Sequence, residues 1–224
     1  MNARGLAARA VLRFAAGAVV VVGVLLGCAG TVAYWQAWAY WAVVFVPMAS
    51  FVVWLLRHDR VLLERRLAVR ERDPRQRRIV ALGALCFTAA FVVPGLDRRF
   101  GWSHVPIAAS LGADVAMLLG YALFVRVLLE NRYASRVVDI EAGQPVVTTG
   151  PYTFVRHPMY LAAIAMMIAT PIALGSWWGF VPTAPLVAVF VARIGNEEAL
   201  LRDELPGYAA YAQRTKYRLV PGLW

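Results

Sequence analysis

Charge is scarce in this 224-residue chain: only 16% of its residues are Asp, Glu, Lys or Arg, and Lys216 is its one lysine. Soluble domains carry roughly a quarter charged residues and about half apolar ones. Here 61% are hydrophobic, which excludes an ordinary water-soluble fold. Cysteine is almost as rare. Cys28 and Cys86 both sit inside apolar runs, so neither a disulfide framework nor a metal-ligand spacing can be built from them. Gly-x-Gly-x-x-Gly fingerprints, internal repeats and low-complexity segments are missing as well. No stripe of arginine interleaved with aromatics makes a nucleic-acid face. The formal net charge of +10 therefore points to an anionic membrane surface, because the arginines flank long apolar runs.

Those runs occupy residues 14 to 33, 36 to 56, 79 to 96 and 107 to 129, each near the roughly 20 residues that cross a 30 Å hydrocarbon layer as a helix. A fifth stretch, Met159 to Ile194, is interrupted at Thr170-Pro171 and at Gly175-Ser176-Trp177-Trp178-Gly179. Such turn chemistry predicts two helices of about 16 residues, about 24 Å each and folded as a short hairpin. The reading is an all-α, polytopic membrane protein of about six transmembrane helices. With the amino terminus in the cytosol, the inside segments hold three, nine, four and five basic residues, and the outside only Arg98 and Arg99. This positive-inside bias predicts both termini in the cytosol. The arginine and alanine bias suits a bacterial chromosome, and so a multi-pass protein of the cytoplasmic membrane.

The expected organisation is an N-terminal transmembrane hairpin at 1–57, a basic segment at 58–78, two spans at 79–130 and a catalytic core at 131–224. Leu25-Leu26-Gly27-Cys28 resembles a lipoprotein cleavage box, but the apolar run continues to Ala33 and favours an intact first span. The basic segment carries Val61, Leu62, Leu63, Leu67 and Val69, which suits a helix in the membrane interface; a solvated orientation signal fits it equally. Asp114, alone deep within a span, is expected as a polar packing contact in preference to a lining of the acceptor's route.

Chemistry is expected where the polar connection 131–158 meets the polar tail 195–224. Pro158 suits a first helical position and holds His157 extended. Arg156, His157 and the amides of that helix start then form an anion-attracting corner. The hairpin's second helix must return to the same side, bringing Arg193, Asn196, Glu197 and Glu198 beside it. Adjacent glutamates project about 100° apart, so one can face inward while its neighbour stays wet. Both signs of charge in one small pocket suit a zwitterionic ligand, although Arg193 and Glu197 can also form a plain i, i+4 pair. The tail, Leu205-Pro206-Gly207-Tyr208 to Pro221-Gly222, can fold back as a lid.

From about Gln144 onward the sequence resembles the isoprenylcysteine carboxyl methyltransferase family of integral membrane methyltransferases, and more distantly the phospholipid N-methyltransferases. The resemblance rests on Val147-Thr148-Thr149-Gly150-Pro151-Tyr152, on Arg156-His157-Pro158-Met159-Tyr160, on Glu197-Glu198 and on the tyrosine-rich tail. It implies S-adenosylmethionine as cofactor, held by His157, Tyr160, Glu197 and Glu198 with the Thr149, Gly150 and Tyr152 loop around it. No metal is expected. Arg156, Arg193 and Glu198 are the expected catalytic residues, acting on a small-molecule or lipid-like acceptor that bears a carboxylate, thiol or amine. The sequence departs from the family in having Ala162 where a glycine is usual two residues after the tyrosine. Two other readings compete: an NADPH-dependent membrane sterol or enone reductase, and a non-catalytic transporter or assembly factor. The paired glutamates favour the methyltransferase; oligomeric state is open.

Overall fold

The computed structural model describes residues 3–67, 74–133 and 143–224, and among these every regular element is helical. Helices α1 (Ala3–Ala29) and α2 (Trp35–His58) form the first hairpin, followed by the short α3 (Arg60–Leu67). Then come α4 (Pro74–Phe100), α5 (Ile107–Glu130), α6 (Pro158–Ala173), α7 (Phe180–Glu204) and α8 (Tyr208–Arg214), with a single 3-10 turn at Gly150–Thr153. Among the described residues three helices are long and apolar enough to cross a membrane: Gly5–Ala29, Trp35–His58 and Ile107–Glu130. Helix α6 is apolar but shorter. This is a membrane protein by its helices.

The apolar seam between the helices divides along its length. Toward one end, Leu25 and Ala29 of α1 pack with Tyr34, Tyr40, Phe91, Met117, Ala173 and Leu174. Toward the other, Leu6 and Ala10 meet Leu55, Leu62, Leu63 and Leu128. Two glycines let helices approach closely. A Cβ at Gly95 would lie 2.6 Å from Cys28 Cβ, so α1 and α4 touch there. A Cβ at Gly120 would meet Met166 at 2.7 Å and the Ala162 carbonyl at 3.4 Å. Close approach at Ala162, itself fully buried, is thus supplied by the glycine of the facing helix.

Several sequence expectations are adjusted. Pro171 does not end α6, which runs two residues further and stops where Gly175 takes φ +74°. The second hairpin helix is not 16 residues but 25, because α7 continues through Asn196, Glu197 and Glu198 to Glu204. At 1.5 Å per residue it is about 37 Å long. The tail therefore begins after Glu204 and not at residue 195. In the basic segment Leu62 and Leu63 are buried against α1, α2 and α5, so α3 turns part of its apolar surface into the protein. Val69, also expected on that helix, lies outside the described residues. Asp114 is buried, and its Oδ1 has no hydrogen-bond partner among the described residues.

Candidate active site at the mouth of helices α6 and α7

The loops after α1, α4 and α6 come together at one end of the bundle. Tyr34 Oη donates to the Leu174 carbonyl, Arg98 donates to Ala33, and Trp177 Nε1 donates to His104. Asp97, 1% exposed, accepts from Ser103 N at 2.7 Å, from Ser103 Oγ at 2.5 Å and from Ser176 Oγ. The expected site residues lie at the other end.

There the tail closes on the start of α6. The Arg156 amide donates to the Tyr217 carbonyl and the His157 amide to the Arg218 carbonyl, both at 2.9 Å. These two amides, immediately before the first turn of α6, are thus held by the tail. Around them stands a charged cluster. Glu198, 2% exposed, accepts from Arg156 Nε at 2.6 Å, from Arg218 Nε at 2.9 Å and contacts His157 Nε2 at 3.3 Å. Arg156 also donates through Nη1 to the carbonyls of Thr215 and Lys216, at 2.9 and 2.7 Å. Burial alone would raise the Glu198 carboxyl's affinity for a proton. Hydrogen bonds from His157, Arg156 and Arg218 outweigh it and hold the group well below the usual carboxylate range.

Glu197 points elsewhere, as two adjacent positions on a helix must. It is partly exposed and accepts from the Tyr160 hydroxyl at 2.5 Å. Arg193, one turn earlier on α7, also reaches that hydroxyl. The Tyr160 ring is held edge-on between His157 and Phe190, with centroids 5.7 and 5.8 Å away, and packs with Ile194 and Leu219. So Arg156, His157, Tyr160, Arg193, Glu197 and Glu198 are brought together by α6, α7 and the tail. On the tail side of Arg156, a cavity of about 310 Å³ is lined by Lys216, Tyr217, Arg218, Gly222, Leu223 and Trp224.

The Thr149 to Tyr152 loop is anchored on its far side. Thr149 Oγ1 donates to Glu130, whose other oxygen pairs with Arg126. Gly150 takes φ +58°, and a Cβ there would lie 2.7 Å from Glu130 Oε2, so only glycine passes under that carboxylate. The Tyr152 hydroxyl accepts from Asn131 at 2.9 Å, and its carbonyl accepts from the Tyr211 hydroxyl at 2.8 Å. Burial pushes the Tyr152 phenol up to about 12, so it stays protonated. Thr149 and Gly150 thus face the end of α5, while Tyr152 joins α5 to the tail and lies within electrostatic range of Glu197.

Residues 110–205 match the model of the phospholipid methyltransferase family. That family is one of integral membrane methyltransferases, the group that the sequence motifs resemble. No curated protein is similar enough to count as a relative. The matched segment runs from the first turn of α5 through α6 and α7, and ends at Leu205 just before the tail. All the expected site residues fall within it. Arg218 and Tyr208, which the structure adds to the neighbourhood, fall outside. Their only sequence signal is a tail unusually rich in tyrosine and basic residues after an acidic pair. Glu130 and Asn131 were missed as well. A carboxylate at a helix C-terminus is opposed by the helix dipole, and that misfit was the sign of a partner.

Proposed function

We propose that this protein is an S-adenosylmethionine-dependent methyltransferase of the cytoplasmic membrane, working at its cytosolic face on a small or lipid-like acceptor. The observation that carries the reading is the convergence of Arg156-His157 and Glu197-Glu198 within one segment matching a methyltransferase family. The residues present fit the cofactor. A zwitterionic amino-acid end needs a carboxylate with solvent-side access, which Glu197 offers, and cations nearby, which Arg156 and Arg193 offer. When bound, the cofactor supplies a methyl group on a sulfonium, open to in-line displacement.

The chain's own part is alignment and dryness. Tyr160 fixes the Glu197 carboxylate through one hydrogen bond, and a fixed partner converts binding into orientation. Glu198 acts as a positioning residue. Its carboxylate is tied to two guanidiniums and an imidazole, which makes it a poor proton acceptor and a strong clamp on Arg156 and His157. For an amine or thiol acceptor, His157 or Glu197 is the better-suited base. An ionised carboxylate acceptor needs only an arginine to place it. Because the tail is pinned over the α6 mouth, it shields this charge cluster from water, which strengthens its interactions.

The test is transfer of label. Membranes carrying the wild type, incubated with methyl-labelled S-adenosylmethionine, incorporate label into lipid, small thiol or protein, and Glu197→Gln membranes incorporate much less. Incorporation no greater than in membranes lacking the protein contradicts the reading.

A further inference from the structure

On the tail side of Arg156 the cavity wall carries three cations, Arg156, Lys216 and Arg218, beside Tyr217, Leu223 and Trp224. Among the described residues one carboxylate pairs with them. Glu198 takes the Nε of Arg156 and the Nε of Arg218. Arg156 Nη1 is occupied by the Thr215 and Lys216 carbonyls, but its Nη2 donates no hydrogen bond among the described residues, although the side chain is only 7% exposed. Neither terminal nitrogen of Arg218 donates one there, nor does the exposed ammonium of Lys216. The Trp224 oxygen accepts from the backbone amides of Arg218, Leu219 and Val220 and from none of the three cationic side chains.

These donors are set in place before any ligand arrives. The Arg156 bond to the Lys216 carbonyl fixes the tail against the start of α6, and the Trp224 ring backs the Arg218 guanidinium at 5.1 Å. A cavity with positive charge in excess draws an anion, and three separate cations suit the several oxygens of a phosphate better than the two of a carboxylate. A volume of about 310 Å³ is enough for a headgroup. Arg156 stands two residues before Pro158, where the apolar helix α6 begins, and on the tail Val220 and Leu223 turn apolar side chains outward, Leu223 by 83%. Cations beside exposed apolar groups suit the headgroup layer of a membrane. We propose that this cavity binds the phosphate of an anionic membrane lipid between Arg156, Lys216 and Arg218, as a fixed ligand that is not itself methylated. Once bound, the phosphate latches Lys216 and Arg218 of the tail to Arg156 at the mouth of α6. It requires no cofactor beside Glu197, so this site and the methyltransferase reading can fail separately.

The experiment titrates the full-length protein in neutral detergent with short-chain phosphatidylglycerol, which offers a phosphate but no amine, thiol or carboxylate to methylate, and with inorganic phosphate. Wild type binds the lipid saturably, and more tightly than inorganic phosphate. Lys216→Gln weakens lipid binding about fivefold, the worth of one cation near a lipid phosphate, while Lys216→Arg retains it. Arg99→Gln, the same change of charge at the other end of the bundle, leaves it unaltered. Saturating lipid also slows tryptic cleavage after Arg214 in the wild type. Equal losses in Lys216→Gln and Arg99→Gln overturn the proposal, because they would mean attraction by net charge alone. So does inorganic phosphate that binds as tightly as the lipid, which would make the ligand a soluble phosphate, and so does lipid binding that leaves the tail unprotected. Wild type that shows no saturable lipid binding overturns it outright.

Discussion

The two ends of the bundle each bury one carboxylate, and they satisfy it in opposite ways. Asp97 is held by serine hydroxyls and a backbone amide. These are neutral donors that lock the loops after α4 and α6 together. Glu198 is held by two guanidiniums and an imidazole, and next to it in the chain is a partly exposed glutamate. The first arrangement is complete in itself. The second concentrates charge of both signs around one carboxylate, which is the mark of a site and not of a staple.

Removing the carboxylates separates the two ends most sharply. Glu198→Ala leaves Arg156 buried and uncompensated, a loss of about 3 to 5 kcal/mol, or a fall of about 10 °C in thermal melting for a chain of this size. Acid should reproduce part of it. Because the folded-state affinity of Glu198 for a proton is depressed, its contribution is present above the ordinary glutamate value of 4.5 and is lost as pH falls below it. The stability gap between wild type and Glu198→Gln, followed by melting from pH 7 to pH 3, should therefore narrow with acidification. Asp97→Asn, which weakens hydrogen bonds from neutral donors and breaks no ion pair, is expected to cost about 1 to 3 kcal/mol and to leave cofactor affinity untouched. A loss of affinity there would break the distinction between staple and site.

Smaller effects sharpen it. Arg218 is partly exposed, so Arg218→Ala should cost only about 1 kcal/mol, but limited proteolysis should then cut the tail after Arg214 faster than in wild type. Glu197→Gln should shift melting least, by about 1 °C, because the residue lies partly in water. Its affinity for S-adenosylmethionine, read by calorimetry, should nonetheless fall at least about tenfold through loss of a charge-assisted contact.

The hydrophobic helices were legible because apolar runs near membrane length have few other uses. The meeting of His157 with Glu198 was legible too, since a short hairpin must return to the side it left. The length of α7 was not. Asn196, Glu197 and Glu198 look like an end when apolarity is the guide, yet backbone hydrogen bonds continue wherever side chains can stay wet or find partners. The pinning of the tail was equally hidden. Tyr217 and Arg218 cap α6 through their carbonyls, and a carbonyl carries no sequence identity. Nor could the sequence show that Glu198 would be drawn inward by three partners while Glu197 stayed near water, only that the two must diverge.

The most direct test of the central claim is calorimetric titration of the full-length protein in detergent with S-adenosylmethionine and, separately, with NADPH. The account predicts saturable binding of S-adenosylmethionine that Glu197→Gln weakens without unfolding the protein, and no binding of NADPH. Saturable NADPH binding with none of S-adenosylmethionine would contradict it.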